Sequence, residues 1–201
     1  MNKRDYFAEI HDLRLRNPQR KGSFDAMLYR LEPLRSGMTG ILKRKRLTVI
    51  QKEFIRYVPV GAIACVEGYF KGLIRDLIDI GAPYRDNIVN LKEIKLTLEG
   101  VVGLHGGKAT LGEFVAHFVS VSSLEDIDKY MSTTLGIEFL KKLKSETGLP
   151  DKVFSGMART FELRHIVAHA TCPKGSTESR GGERLFDVDF LLATGDRASA
   201  K

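Results

Sequence analysis

The chain has 201 residues, 43% of them hydrophobic and 28% charged, which is long enough to bury one proper core and makes a single domain the default expectation. A formal net charge of +7 favours polyanionic partners, nucleic acid ahead of anionic membrane, because a basic surface attracts phosphates over about 8 Å at physiological salt. The two cysteines, Cys65 and Cys172, are far apart and lack CxxC spacing, which argues against a disulfide framework or a cysteine metal centre and fits a reducing cytoplasm.

The opening MNKRDYFAEIHDLRLR carries charge throughout and has no apolar signal core, so secretion is not expected. Basic residues crowd this start: Lys3, Arg4, Arg14, Arg16, Arg20 and Lys21. Periodicity predicts helices over residues 3–14 and 23–34, bounded by Asn17-Pro18 and Glu32-Pro33. The run Lys43-Arg44-Lys45-Arg46 has two readings, a solvated face or a phosphate patch, and charge patterning alone favours the solvated face.

Residues 42–56 read as a separate helix leading into a longer one, with Pro59 at the joint. Over residues 57–80, Ile63, Phe70, Ile74 and Leu77 form an apolar stripe, while Glu67, Lys71, Arg75 and Asp79 recur every four residues as a charged one. This predicts an amphipathic helix of roughly 20 residues, about 30 Å long. Its charges also argue against a membrane span. Gly81 followed by Ala82-Pro83 ends it.

A weaker helical pattern covers residues 91–98, and Gly103 to Lys108, within GLHGGKAT, reads as a glycine-rich turn before a short helix at 111–118. The turn does not meet the requirements of a nucleotide loop, since Ala109 follows Lys108 where Ser or Thr should hold magnesium, and no strand precedes it. Ser123 is an N-cap signal for a helix to about residue 134, a further helix covers 137–145, and Thr147-Gly148-Leu149-Pro150 is a loop. Asp151 then caps a final helix through about residue 169, with Phe154, Met157, Ala158 and Phe161 on its buried side. Residues 171–183 read as a polar, glycine-rich loop, LFDVDFLL at 185–192 as a strand or one helical turn, and the last residues as disordered. With no internal repeat and no strand-rich region, the expected architecture is an all-α bundle.

The final helix ends in FELRHIVAHA, residues 161–170, where chemistry-bearing side chains concentrate. Glu162 and His165 form a Glu-x-x-His pair, and His165 and His169 lie four apart on one face, which opens a metal-site reading. Di-iron bundles need a second such pair, which is missing, and Ile166 stands where zinc hydrolases place a glutamate. There is no GxSxG elbow, and Cys65 lies within a hydrophobic helix as an inert thiol. Arg164 and His169 suit a different chemistry: an arginine that holds a phosphate and a histidine that moves protons suffice for RNA cleavage without metal, because the ribose 2′-hydroxyl is the nucleophile.

Five residues apart on a helix, Arg164 and His169 are rotated about 140° from each other; they can flank one groove, particularly if His169 sits at a frayed helix end or a two-fold dimer brings a second helix alongside. With four to six intervening residues allowed, an arginine precedes a histidine in this way three times, at Arg4 to His11, Arg159 to His165 and Arg164 to His169, so the spacing does not decide by itself. A purely structural reading stays open beside it: His169 stabilised by the helix dipole, and Arg164 paired with Glu162 or Asp187.

Three segments together, IACVEGYFKGLIRDLI, SVSSLEDIDKYMSTTLGIEFLKKL and FELRHIVAH, resemble the HEPN superfamily, in particular its prokaryotic ribonuclease branch from toxin–antitoxin and antiphage defence loci. The resemblance implies a HEPN-like helical bundle over residues 42–170; the basic N-terminal helical extension at 1–41 and the loop and C-terminal tail at 171–201 lie outside it. It implies a homodimer that places two Arg/His motifs across a shared cleft. Arg164 would bind the scissile phosphate, His169 would act as general acid or base, and His165, in the family's polar position, would orient the backbone phosphate. Glu67 is a lesser substrate-binding candidate, as a carboxylate on the long helix, with an ion pair to Lys71 as the competing reading. The implied activity is a cytoplasmic, metal-independent endoribonuclease acting on single-stranded or loop RNA without a cofactor, with a cognate antitoxin or defence protein as a further partner. The alternative is a non-catalytic HEPN-like module that binds RNA or protein through its basic N-terminal region.

Overall fold

The computed structural model describes residues 5–16, 22–95 and 97–169; the readings made for 171–201 lie outside them. Among the described residues the protein is all-helical, with no strand. The helices are α1 (Tyr6–Arg16), α2 (Ser23–Leu42), α3 (Val49–Ile80), α4 (Tyr84–Asn87) with a 3₁₀ turn at Ile88–Asn90, α5 (Leu98–His105), α6 (Leu111–Phe118), α7 (Leu124–Leu135), α8 (Phe139–Thr147) and α9 (Asp151–His169). No described helix is long and apolar enough to cross a membrane.

The chain forms two compact units that interleave along it: Met1–Met27 with Val66–Gly148, and Leu28–Cys65 with Leu149–Lys201. In the first unit, Asp5 starts α1 by accepting hydrogen bonds from the N–H groups of Phe7 and Ala8, each at 3.1 Å. Ile10 of α1 then packs with Ala109 and Phe114, ringed by Phe7, Leu104 and Phe118. Phe7 requires Gly103, because the ring occupies the space where a Cβ at that position would stand. The glycine-rich segment therefore begins as helix, through His105, and only its second half is the turn that composition predicts. Thr97 caps α5 by accepting from the Gly100 N–H at 3.1 Å, and the chain turns only at Gly106 and Gly107, the latter at φ 70°. The cap also moves the helix start to Leu98, so residues 91–98 are not the weak helix that periodicity suggests.

Arg14 of α1 grips Glu113 of α6 with two hydrogen bonds, one from Nε at 2.6 Å and one from Nη2. Glu113 also closes a capping box with Thr110. These contacts hold the Glu113 carboxyl below the usual carboxylate range, with the Arg14 hydrogen bond the largest cause and partial burial opposing it. A depressed carboxylate contributes stability above its unfolded pKa and loses it as pH falls through the lower folded value. Glu113→Gln should thus cost about 1 kcal/mol at neutral pH, discounted for the exposure of Arg14, and nothing at a pH where the carboxyl is already protonated. Thermal melts of both proteins across that acidic range test this; a cost that persists at low pH would show that ionisation is not its source.

Gly136, at φ 71°, closes α7 in the left-handed conformation. Side chains of α7 then set the start of α8: Ser132 Oγ accepts from the Phe139 N–H at 2.8 Å and Asp128 Oδ1 from the Leu140 N–H at 2.9 Å. That places the start at Phe139, two residues later than periodicity indicates.

The second unit is built on the C-terminal half of α2 and the N-terminal half of α3. Two glycines let these helices approach closely, since a Cβ at Gly37 would meet Phe54 Cζ at 2.7 Å and one at Gly61 would meet Leu34 Cδ1 at 3.0 Å. Met38, Val58, Ala62 and Ile63 are buried there. Both helices run through a proline, α2 through Pro33 and α3 through Pro59, where the sequence reading breaks them. A proline inside a helix costs about 3 kcal/mol, while fully burying an aliphatic side chain returns about 1.5–3 kcal/mol. With Val58, Ala62 and Ile63 all buried beside Pro59, packing outweighs the break.

Cys65 is buried in this unit, and burial pushes its thiol pKa up, against a smaller opposing effect of the Arg30 charge. A mapped alkylation at neutral pH should leave Cys65 unmodified until the protein is denatured.

Candidate functional site

The motif lies on α9, whose Asp151 begins the helix with a favourable charge and whose Phe154, Phe161 and Leu163 are buried. The helix runs unbroken from Asp151 to His169, so Arg164, His165 and the backbone of His169 share a single element. Arg164 and His165 are both half-buried, while their neighbour Ile166 is 56% exposed. His169 is the last residue of α9; its side chain lies outside the described residues, as does Asp187.

Glu162 is engaged by Arg159, whose Nη1 donates to Oε2 at 2.7 Å across one helical turn. Among the described residues, no three His, Cys, Asp or Glu converge where they could hold a metal ion.

Glu67 belongs to the other compact unit. Lys71 Nζ approaches Glu67 Oε1 to 3.1 Å, the pair expected from their i to i+4 spacing on α3.

Charge separates the two units in a way the linear sequence conceals. The described residues of the first unit carry twelve Lys and Arg against sixteen Asp and Glu; those of the second carry eleven against four. Arg164 and His165 thus lie on the unit with the basic excess, and so does the exposed run Lys43-Arg44-Lys45-Arg46 between α2 and α3. Tyr57, 56% exposed on α3 of the same unit, gains candidate status only from its exposure. In sequence it is one more apolar residue at the head of a long helix, and nothing in the pattern marks it.

Compared with known proteins, the chain matches no family model, no curated protein and no solved structure.

Proposed function

We propose that the protein is a metal-independent endoribonuclease of the HEPN type that cleaves single-stranded or loop RNA as a homodimer. The observation that carries this reading is the placement of Arg164 and His165, half-buried at the end of one continuous helix, on the unit that carries the basic excess. A half-buried guanidinium holds a phosphate more firmly than one fully in water, because the local dielectric is lower.

In this mechanism Arg164 binds the non-bridging oxygens of the scissile phosphate and stabilises the charge that builds there. His169 removes the 2′-hydroxyl proton, the 2′-oxygen bonds to phosphorus, and the bond to the 5′-oxygen breaks as that oxygen takes up a proton. The products are a 2′,3′-cyclic phosphate and a 5′-hydroxyl end. A two-fold pair of α9 helices would supply a second histidine for the second proton transfer. His165 orients the backbone phosphate, and Glu67 remains the lesser candidate for contacting the substrate. Single strands and loops are favoured because in-line attack needs a flexible sugar-phosphate backbone and their bases are accessible. A toxin–antitoxin or defence role, with a protein antitoxin as partner, belongs to the same proposal.

The test is incubation of the purified protein with a labelled mixed RNA in EDTA, followed by identification of the product ends. Cyclic phosphates made in the presence of chelator support the proposal. Intact RNA from a verified dimer would turn the reading to a non-catalytic module that binds RNA, which the basic excess equally favours.

A further inference from the structure

We infer that the α2–α3 loop, Lys43-Arg44-Lys45-Arg46, together with Tyr57, is a docking surface for the sugar-phosphate backbone of a single-stranded nucleic acid. For the identity of the polyanion it rests on the ribonuclease reading, and it stands on binding alone. Residues 33–52 contain six cations and no carboxylate, and four of those cations are consecutive and exposed. Three carboxylates of the same unit are already engaged on their own helices: Glu32 accepts from Arg35 Nε at 2.9 Å, Glu53 lies 3.8 Å from Arg56, and Glu162 is held by Arg159. Among the described residues no carboxylate forms an ion pair with Lys43, Arg44, Lys45 or Arg46, so an incoming phosphate displaces none of them.

An anionic bilayer would also attract this run, but the adjoining helix face does not suit one. Val49 and Ile50 are 77% and 81% exposed at the start of α3, yet Glu53 follows Ile50 on the same stripe, between it and Tyr57. A helix lying in a membrane surface needs an unbroken apolar face, and a carboxylate there would be driven into the headgroup boundary. A single-stranded nucleic acid needs instead a run of cations and an exposed aromatic ring on which a base can stack, and Tyr57 supplies the ring.

The probe is a fluorescein-labelled, 2′-O-methylated single strand of mixed sequence, which resists 2′-hydroxyl attack, so anisotropy reads binding to the full chain whether or not the protein cleaves. Replacing Lys43, Arg44, Lys45 and Arg46 together with glutamine should weaken binding about tenfold or more at physiological salt. It should also reduce the slope of log affinity against log salt by about 3, because each phosphate that is no longer neutralised on a single strand removes roughly 0.7. Tyr57→Ala should weaken binding while leaving that slope unchanged. As a control, the same number of charges removed from the first unit, at Lys92, Lys95, Lys141 and Lys142, should leave the affinity within about twofold of wild type.

Wild-type affinity in the four-glutamine protein, equal losses in both charge-removed proteins, or capture by phosphatidylserine vesicles in place of the strand would each overturn the inference. The two proposals fail separately. Tight, loop-dependent binding without cleavage of unmodified RNA refutes the ribonuclease and leaves the surface standing, whereas cleavage with loop-independent binding does the reverse.

Discussion

Arg164→Ala and His169→Ala, made singly, are each expected to lower RNA cleavage by about 10²–10⁴-fold, the range typical of a lost proton-transfer group or transition-state charge partner. Neither should unfold the protein, because α9 is anchored by Phe154, Phe161 and Leu163, which both substitutions leave in place. Circular dichroism and thermal melting of each variant check that separation. Arg164→Lys should restore little activity: a lysine keeps the charge but lacks the planar fork that holds two phosphate oxygens at once. Cleavage by His169→Ala at the wild-type rate would remove the proposed general acid or base and sink the assignment. Full activity in Arg164→Lys would restrict the arginine to generic electrostatics.

The largest stability effect is expected at Gly112. A methyl group there would meet the Arg75 carbonyl oxygen and stand 2.7 Å from Asp79 Cγ, and backbone cannot rotate away as a side chain can. Asp79 meanwhile secures the start of α6, accepting from the Gly112 N–H at 2.9 Å and the Thr110 hydroxyl at 2.7 Å. Gly112→Ala must therefore shift α6, disturbing a cap and the packing of Phe114 and Val115, which are 2% and 3% exposed. Overpacking and a weakened cap together should cost about 3 kcal/mol, and the Tm should fall on the order of 10 °C or more. Gly68→Ala is the informative contrast. Nothing lies within 4 Å of its added methyl group, so in the middle of α3 it should be neutral or stabilising by up to about 1 kcal/mol. Equal melting temperatures for the two variants would show that the close approach at Gly112 has no energetic weight.

How much of this was legible before folding depends on the range of the interactions involved. The start of α7 was readable because its signal is local: Ser123 accepts from the N–H of Asp126 three residues on, at 3.1 Å. The helix at 111–118 and the end of α3 near Gly81 follow from the same short-range logic, apolar spacing closed by a cap or a breaker. The pairing of Glu67 with Lys71 is local too, being one helical turn. Arg164 and His169 stand out in sequence because an arginine and two histidines among apolar residues are unusual for an ordinary helix end. Their being carried to the end of one uninterrupted helix required only periodicity.

What the sequence by itself determined is thus the all-helical class, the bounds of α6, α7 and α9 and the candidate motif, because hydrophobic period, caps and charge spacing act within a few residues. Only the tertiary structure decided that Pro33 and Pro59 lie inside helices, since burial of Val58, Ala62 and Ile63 comes from partners distant in the chain. It likewise decided that Gly103 is a seat for Phe7. The division of charge is the clearest case. Two units that interleave along the chain give no compositional boundary to read, and the basic excess around Arg164 emerges only when residues 28–65 and 149–169 fold into one body.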